Sequence, residues 1–220
     1  MILVDIAYVL VAFIGSVVAL EALSVPRPGA LAVVTGVAVA TWRLRRAGIR
    51  WADVGLRAPA SWARTLLWAL AAYALVIAAN VAIVIPLSRA LGWAPTDVAK
   101  LGDLAGDLPL LAGWLAIAWT TAAVGEELLF RGFLQTRLMA LFNGGALGNA
   151  LAIAIQAFLF GVAHLAFGTR GAVTAGVVAV VYGIIYLVNG RNLWPLIIAH
   201  GVTDTVSLVA LYFGAAAYMT

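Results

Sequence analysis

The stretch that decides the fold runs from residue 109 to residue 142 and reads PLLAGWLAIAWTTAAVGEELLFRGFLQTRLMALF. Its 34 residues are mostly apolar and exceed the roughly 20 that one helix needs to cross a bilayer core. It therefore predicts a transmembrane helix that protrudes, kinks or breaks, with Gly125 and Gly132 as candidate weak points. The same stretch contains two glutamates and two arginines, which are costly inside a membrane and need a chemical explanation.

The composition of the whole chain agrees with a membrane location. Of 220 residues, 65% are hydrophobic and 10% are charged, whereas a soluble domain has about 45–50% and 25%. Too few polar side chains are present to cover a water-facing surface, which excludes a soluble domain, a disordered chain and a nucleic-acid-binding module. The sequence predicts an all-α polytopic transmembrane helix bundle that forms one membrane domain over 1–220. Because the chain has no cysteine, disulfides, thiolate metal sites and a cysteine nucleophile are excluded.

Apolar segments along the chain predict seven spans, or eight if the long fourth segment contains two. The segments lie at about 2–23, 29–42, 64–91, 109–142, 147–167, 172–188 and 193–218. The first is predicted to be a span rather than a signal peptide, because Met1–Asp5 lacks a positive n-region and the apolar run continues to about Leu23.

The loop charges predict the orientation of the chain in the membrane. The loop between the second and third segments contains six arginines: Arg43, Arg45, Arg46, Arg50, Arg57 and Arg64. The next loop contains three aspartates and one lysine: Asp97, Asp103, Asp107 and Lys100. The positive-inside rule places the arginine-rich loop and the N-terminus in the cytoplasm, so we interpret the net charge of +4 as a topology signal. Lys100 is the only lysine among 13 basic residues, which favours a GC-rich bacterial source and a bacterial cytoplasmic membrane.

Helical geometry separates the two adjacent glutamates of the fourth segment. Glu127 and Arg131 are one turn apart on one face of an α-helix and can form an ion pair. Glu126 lies about 140° around the helix from Arg131, at roughly 100° per residue, and is left without a local cation. A carboxyl in that position suits a general base. The structural alternative is one stabilising cluster of both glutamates with Arg131.

Both histidines of the chain lie in other apolar segments. His164 follows Phe160 by one turn in the fifth segment, and His200 precedes Asp204 by one turn in the seventh. Each alone is compatible with a hydrogen-bonded core residue, but together with the glutamates they indicate a site. The spacing leaves two alternatives open: Glu126, His164 and His200 as zinc ligands, or direct activation of water by Glu and His. The chain has no H-E-x-x-H motif, and no G-x-S-x-G precedes a usable histidine.

Three motifs resemble those of the CPBP family (CAAX proteases and bacteriocin-processing enzymes, also called Abi), which are intramembrane glutamic endopeptidases. The motifs are Glu126-Glu127-x-x-x-Arg131, Phe160-x-x-x-His164 and His200-x-x-x-Asp204. The stretch 51–57 before the third segment also resembles the upstream segment of that family. The resemblance implies a catalytic core at about 109–210 and a structural ion pair in which Arg131 holds Glu127.

The resemblance also implies catalytic roles that need neither a metal nor another cofactor. Glu126 would be the general base that activates water, with His164 assisting, while His200 and Asp204 would stabilise the oxyanion. One departure matters, because the third motif of the family often ends in Asn and here it ends in Asp204. An ionised Asp repels an oxyanion, so Asp204 either acts in its protonated form or orients His200.

The implied substrate is a peptide bond in or beside the bilayer, and the implied partners are membrane lipid and a peptide or membrane-protein substrate, with no nucleic acid. In a bacterium ordinary CAAX prenylation is not expected, so peptide maturation, bacteriocin self-immunity or cleavage of a membrane protein is favoured. Two alternatives stay open. One is a non-catalytic scaffold or immunity protein with the same fold, and the other is a small proton-coupled carrier, which would favour inverted repeats that the sequence does not contain. The sequence leaves the oligomeric state open.

The segment boundaries create a problem of depth for this site. His164 lies close to the outer end of 147–167, whereas His200 lies about seven residues, or roughly 10 Å, past the inner start of the seventh segment. Histidines at different depths cannot act on one carbonyl. We therefore expect the fifth segment to extend or shift so that His164 lies deeper, and the fourth to be bent or displaced. Glu126, His164, His200 and Asp204 should then line one water-accessible cavity.

Overall fold

The helices begin and end within a few residues of most of the predicted apolar segments. The computed structural model describes residues 1–214, and within that range the chain is helical with no strand. The long helices are α1 (Ile2–Ala22), α2 (Pro28–Arg46), α3 (Trp62–Ala90), α4 (Leu108–Leu141), α5 (Gly145–Ala163), α6 (Gly168–Val188) and α7 (Trp194–Tyr212). Short 3₁₀ turns lie at Trp51–Val54, Ala99–Leu101 and Leu165–Phe167. The all-α prediction is confirmed, and residues 215–218 of the seventh predicted segment lie outside the described range.

Six of the long helices in residues 1–214 are long and apolar enough to cross a membrane, and α2 is the exception. The last turn of α2 contains three arginines, Arg43, Arg45 and Arg46, which lower its hydropathy. The chain is therefore an integral membrane protein with six candidate spans, and the predicted count of seven is not confirmed. Because α4 is one helix, the predicted eighth span inside it is not supported either.

The local sequence explains where α4 begins and ends. Asp107 caps its N-terminus by accepting a hydrogen bond from the Leu110 amide at 2.9 Å, and Pro109 occupies the first turn, where no amide is needed. After Leu141 the chain turns through Asn143, which has φ of 58°, and then two glycines with positive φ. This left-handed stretch ends α4 at Leu141. Helix α5 then begins at Gly145, after three intervening residues.

The packing places α4 at the centre of the bundle. The α1–α2 pair packs on one side of α4 through α2, and α7 packs on another side. The α5–α6 hairpin is closely packed, and α3 covers α6 and α7. The hairpin is tight because Gly161 faces the Ala172 carbonyl so closely that a Cβ there would lie 2.9 Å from the oxygen. Small residues are typical of such helix contacts in membranes.

A buried carboxylate on α1 joins three helices. Asp5 accepts hydrogen bonds from Arg43 of α2 at 2.8 and 2.5 Å, and from Arg137 of α4. The Arg43 guanidinium also lies over the rings of Tyr8 and Trp42, each 4.9 Å away. One carboxylate is therefore shared by two arginines at the end of the bundle where α2 and α4 terminate.

The expected distortion of α4 is present, but it is a change of winding rather than a break at a glycine. Residues Ala118–Gln135 form a π-helix, in which hydrogen bonds run from i to i+5, so each turn takes more than 3.6 residues. The angle of 140° predicted between Glu126 and Arg131 assumed α-helical winding and does not apply here. Gly125 and Gly132 instead permit close packing, because a Cβ would lie 2.6 Å from Val33 and 3.2 Å from Leu193.

Helix registers remove the predicted difference in depth between the two histidines. The Phe160 ring near the end of α5 lies 4.8 Å from the Phe130 ring, so the α5–α6 turn stands beside the middle of α4. Helix α5 ends at Ala163, four residues before the predicted end of the fifth segment at residue 167, and His164 follows it directly. On the other side α7 runs antiparallel to α4, with Leu193 beside Gly132 and Gly201 beside Trp119.

Candidate active site

The predicted site residues come from three elements that meet beside the π-helical part of α4. Glu126 and Glu127 lie on α4, His164 caps the C-terminus of α5, and His200 and Asp204 lie one turn apart on α7. The antiparallel register of α7 brings His200 level with the two glutamates.

Glu127 is the most connected of these residues. Its Oε1 accepts one hydrogen bond from Arg131 Nη1 at 2.9 Å and another from His200 Nδ1 at 2.9 Å. The predicted pairing with Arg131 is present, and both side chains are fully buried. The contact with His200 was missed by sequence reasoning, because no local spacing reveals the register between α4 and α7. Since an ionised carboxylate only accepts, the proton of this contact is on Nδ1.

The other nitrogen of His200 faces two further acids. Nε2 lies 4.0 Å from Glu126 Oε2 and 3.6 Å from Asp204 Oδ2. Glu126 lacks a hydrogen-bond partner for its buried Oε2, as expected for a carboxyl without a local cation. The carboxylate that orients His200 through Nδ1 is Glu127. The sequence allowed this orienting role for Asp204, but Glu127 has it in the structure.

His164 is fixed by its own helix. Its Nδ1 donates to the Phe160 carbonyl at 2.8 Å, which leaves Nε2 of the neutral ring as an acceptor. The ring centroid lies 4.5 Å from that of Phe160 and 6.0 Å from that of Phe167, so the imidazole stands between two aromatic rings. The Phe160 ring also lies 4.7 Å from the Arg131 guanidinium carbon, so His164 stands beside the part of α4 that contains the ion pair.

The site side chains become more exposed from the Glu127–Arg131 ion pair towards Asp204. Glu127 and Arg131 are 0% exposed, His200 is 10%, Glu126 is 16% and Asp204 is 31%. The charged pair is therefore sealed inside the protein, while the carboxyls of Glu126 and Asp204 form the accessible edge. A substrate approaching from that edge meets Glu126 and His200 before it meets the ion pair.

Two aromatic residues that sequence reasoning missed border the site. The Trp119 ring covers Gly201, where a Cβ would lie 2.6 Å from ring atoms, and its Nε1 donates to Thr205 at 3.1 Å. The Tyr182 ring centroid lies 6.0 Å from that of His200. Nothing in the sequence distinguishes these two rings from lipid-facing ones.

Within residues 1–214, no group of three or more His, Asp or Glu residues has the arrangement needed to hold a metal ion. Nδ1 makes a hydrogen bond in both histidines, but to different groups. His200 Nδ1 donates to the Glu127 carboxylate, and His164 Nδ1 donates to a backbone carbonyl. The site therefore contains the carboxyl of Glu126 and an imidazole acceptor, Nε2 of His164. Both lie near a second imidazole, that of His200, which the Glu127 carboxylate can hold in its charged form.

An apolar helix bundle with carboxyls and imidazoles gathered between its spans defines an integral membrane protein with a candidate hydrolytic site. Residues 108–206 match the family described as type II CAAX prenyl endopeptidase, Rce1-like. The match includes all six predicted site residues and confirms the predicted resemblance to the CAAX-protease family over this part of the chain. No curated protein and no solved structure matches the chain.

Proposed function

We propose that this protein is an intramembrane endopeptidase that hydrolyses a peptide bond of a membrane-associated peptide or protein. The observation that carries the proposal is the meeting of Glu126, His200 and Asp204 at the accessible edge of a buried ion pair, within a segment that matches a family of endopeptidases. The partners are membrane lipid and the peptide substrate.

The proposed mechanism uses only side chains of this chain. Glu126, assisted by Nε2 of His164, takes a proton from water, and the water oxygen attacks the carbonyl carbon of the scissile bond. The carbonyl oxygen becomes an oxyanion, to which the imidazolium form of His200 donates from Nε2 while Glu127 holds Nδ1. The C–N bond then breaks as the nitrogen receives the proton from Glu126, giving a carboxyl and an amine. Protonated Asp204 is the second donor to the oxyanion.

The proposed setting is a bacterial cytoplasmic membrane with the N-terminus in the cytoplasm. We take α2 as the seventh span, because it is 19 residues long, packs against both α1 and α4, and buries Arg43 against Asp5. The chain then forms one membrane domain over 1–220, with the catalytic core at about 109–210.

The test is cleavage by purified protein in lipid nanodiscs, with substrates found by comparing peptide termini from cells that contain wild type or Glu126→Gln. We expect Glu126→Gln to lower turnover by about 100-fold or more, the typical share of a general base, with an unchanged melting temperature. Glu21→Gln is the matched control, because Glu21 is an exposed carboxyl in the last turns of α1. Near-normal turnover by folded Glu126→Gln contradicts the mechanism, and no cleavage by wild type favours a scaffold or immunity protein.

Chelators distinguish the two sequence-based mechanisms. We expect cleavage to persist in EDTA and in o-phenanthroline, because the proposed base and oxyanion donors are protein side chains. Loss of activity that added Zn²⁺ restores would instead make Glu126, His164 and His200 metal ligands.

A further inference from the structure

Buried polar atoms without partners form a row along α4, starting at the candidate site. They are Oε2 of Glu127, Nε and Nη2 of Arg131, and Oε1 of Gln135, each residue one turn beyond the last. All three residues are 0% exposed. Leaving a buried polar group unpaired is unfavourable, and more so for a charged one, so a row of them requires partners.

Two glutamine side chains mark the far end of this row. Gln135 donates to the Gly183 carbonyl at 3.0 Å, and Gln156 of α5 donates to the Ala179 carbonyl at 2.9 Å. Each amide is left with a buried Oε1 that accepts nothing. The two amides approach each other over Gly183, where a Cβ would lie 3.1 Å from Gln135 Oε1 and 3.1 Å from Gln156 Nε2. Glycine at this position lets both amides approach the backbone of α6 closely.

Two buried tyrosines on α6 differ in the hydrogen bonding of their hydroxyl groups. Tyr182, beside Gly183, has a buried hydroxyl that faces Thr203 of α7 without a hydrogen bond of normal geometry, and its ring centroid lies 5.3 Å from the Arg131 guanidinium carbon. Tyr186, one turn further along, donates its hydroxyl to the Val54 carbonyl at 2.9 Å. Both tyrosines are 0% exposed, so burial does not distinguish them.

We propose that a row of internal water molecules binds along this face of α4, from Gln135 and Gln156 at Gly183, past Arg131 and Tyr182, to Glu127. Water fits because the unpaired atoms include both acceptors and donors, and a buried water needs two to four such partners. The row hydrates the Arg131 charge and extends from the site on the side opposite Asp204. Only the effect on turnover described below rests on the proposed function.

Radiolytic hydroxyl labelling tests the row, since radicals formed from bound water modify adjacent side chains even when these are buried. In wild-type protein in nanodiscs, we expect Tyr182 to be labelled several-fold faster than Tyr186. Equal labelling rates for the two buried tyrosines would overturn the proposal, whether or not the protein cleaves peptides.

Substitutions on α6 and α5 locate the water. Gly183→Ala places a Cβ 3.1 Å from both amides, so the polar atoms at this end of the row must shift away from their positions. It should slow Tyr182 labelling towards the Tyr186 rate, and Gln156→Leu should act in the same direction. Gly176→Ala is the matched control on the same helix, because its Cβ would meet nothing closer than 3.6 Å. Fast Tyr182 labelling in folded Gly183→Ala or Gln156→Leu would mean that water enters from the Asp204 edge and would overturn the row. If wild type is a peptidase, Gly183→Ala should lower kcat several-fold with KM unchanged.

Discussion

The carboxylate of Glu127 links a residue of its own helix to a residue of another, Arg131 on α4 and His200 on α7. In Glu127→Gln the shape is kept, but the buried Arg131 loses its counter-charge and His200 loses a charged acceptor. Breaking a buried pair in this way typically costs about 3–5 kcal/mol. We expect a clear drop in the melting temperature of the protein in nanodiscs, together with lower turnover.

The control for this prediction is the exposed ion pair between Arg50 and Asp53, in which the Arg50 guanidinium lowers the pKa of the Asp53 carboxyl. Asp53→Asn should leave the melting temperature unchanged, because exposed pairs contribute little to stability. If Glu127→Gln is as stable as wild type, the ion-pair role of Glu127 is wrong.

Asp204 presents the one departure from the family motif, and its role can be tested by restoring the motif. An Asn side chain donates a hydrogen bond at any pH, whereas an Asp donates only when protonated. If Asp204 is an oxyanion donor, Asp204→Asn should keep its activity at neutral pH and extend it to higher pH, while Asp204→Ala should lower kcat. The pH profile of kcat for the two variants is the measurement. Equal loss in both variants would show that the carboxylate charge itself is needed.

At the scale of elements, a very close contact near the site lies between α4 and α7. Gly201 follows His200 and lies under the Trp119 ring, so Gly201→Ala must displace that ring and its hydrogen bond to Thr205. Overpacking of this kind typically costs about 1–3 kcal/mol. We expect a lower melting temperature and reduced turnover, because His200 moves with α7.

Gly113→Ala is the control for that prediction, because a Cβ at Gly113 meets nothing within 4 Å and the residue lies on α4 itself. It should keep wild-type stability or exceed it, since alanine is the better helix former. If Gly201→Ala has the melting temperature and turnover of wild type, α4 and α7 can move apart here at little cost.

Contacts within one helix were predictable from the sequence, and contacts between helices were not. The pairing of Glu127 with Arg131 follows from a four-residue spacing, and the helix positions follow from apolar runs. The hydrogen bond from His200 to Glu127 depends on the register of α7 against α4, which no spacing encodes. The depth of His164 depends in the same way on how far the α5–α6 hairpin is shifted along α4. The π-helical winding of α4 arises from packing on several sides rather than from a local signal.

The orientation of the whole molecule can be tested directly, because the chain has no cysteine of its own. Arg45 and Asp103 are both exposed, in the last turn of α2 and in the loop before α4. With the N-terminus in the cytoplasm, a membrane-impermeant maleimide added to intact cells should label Asp103→Cys and not Arg45→Cys. Permeabilised cells are the control, in which both should react. The reverse pattern in intact cells would place the N-terminus outside.

The three-helix contact of Asp5 has a consequence for how the protein is made. Asp5 leaves the ribosome first, Arg43 follows 38 residues later, and Arg137 follows 132 residues later. Arg137 lies in the last turns of α4, and a charged side chain there enters the membrane more easily when an acid is present to pair with it. Because α1 precedes α4 in the chain, Asp5 is already in the membrane when α4 is inserted. Helix α1 thus favours the insertion of the helix that contains the glutamates.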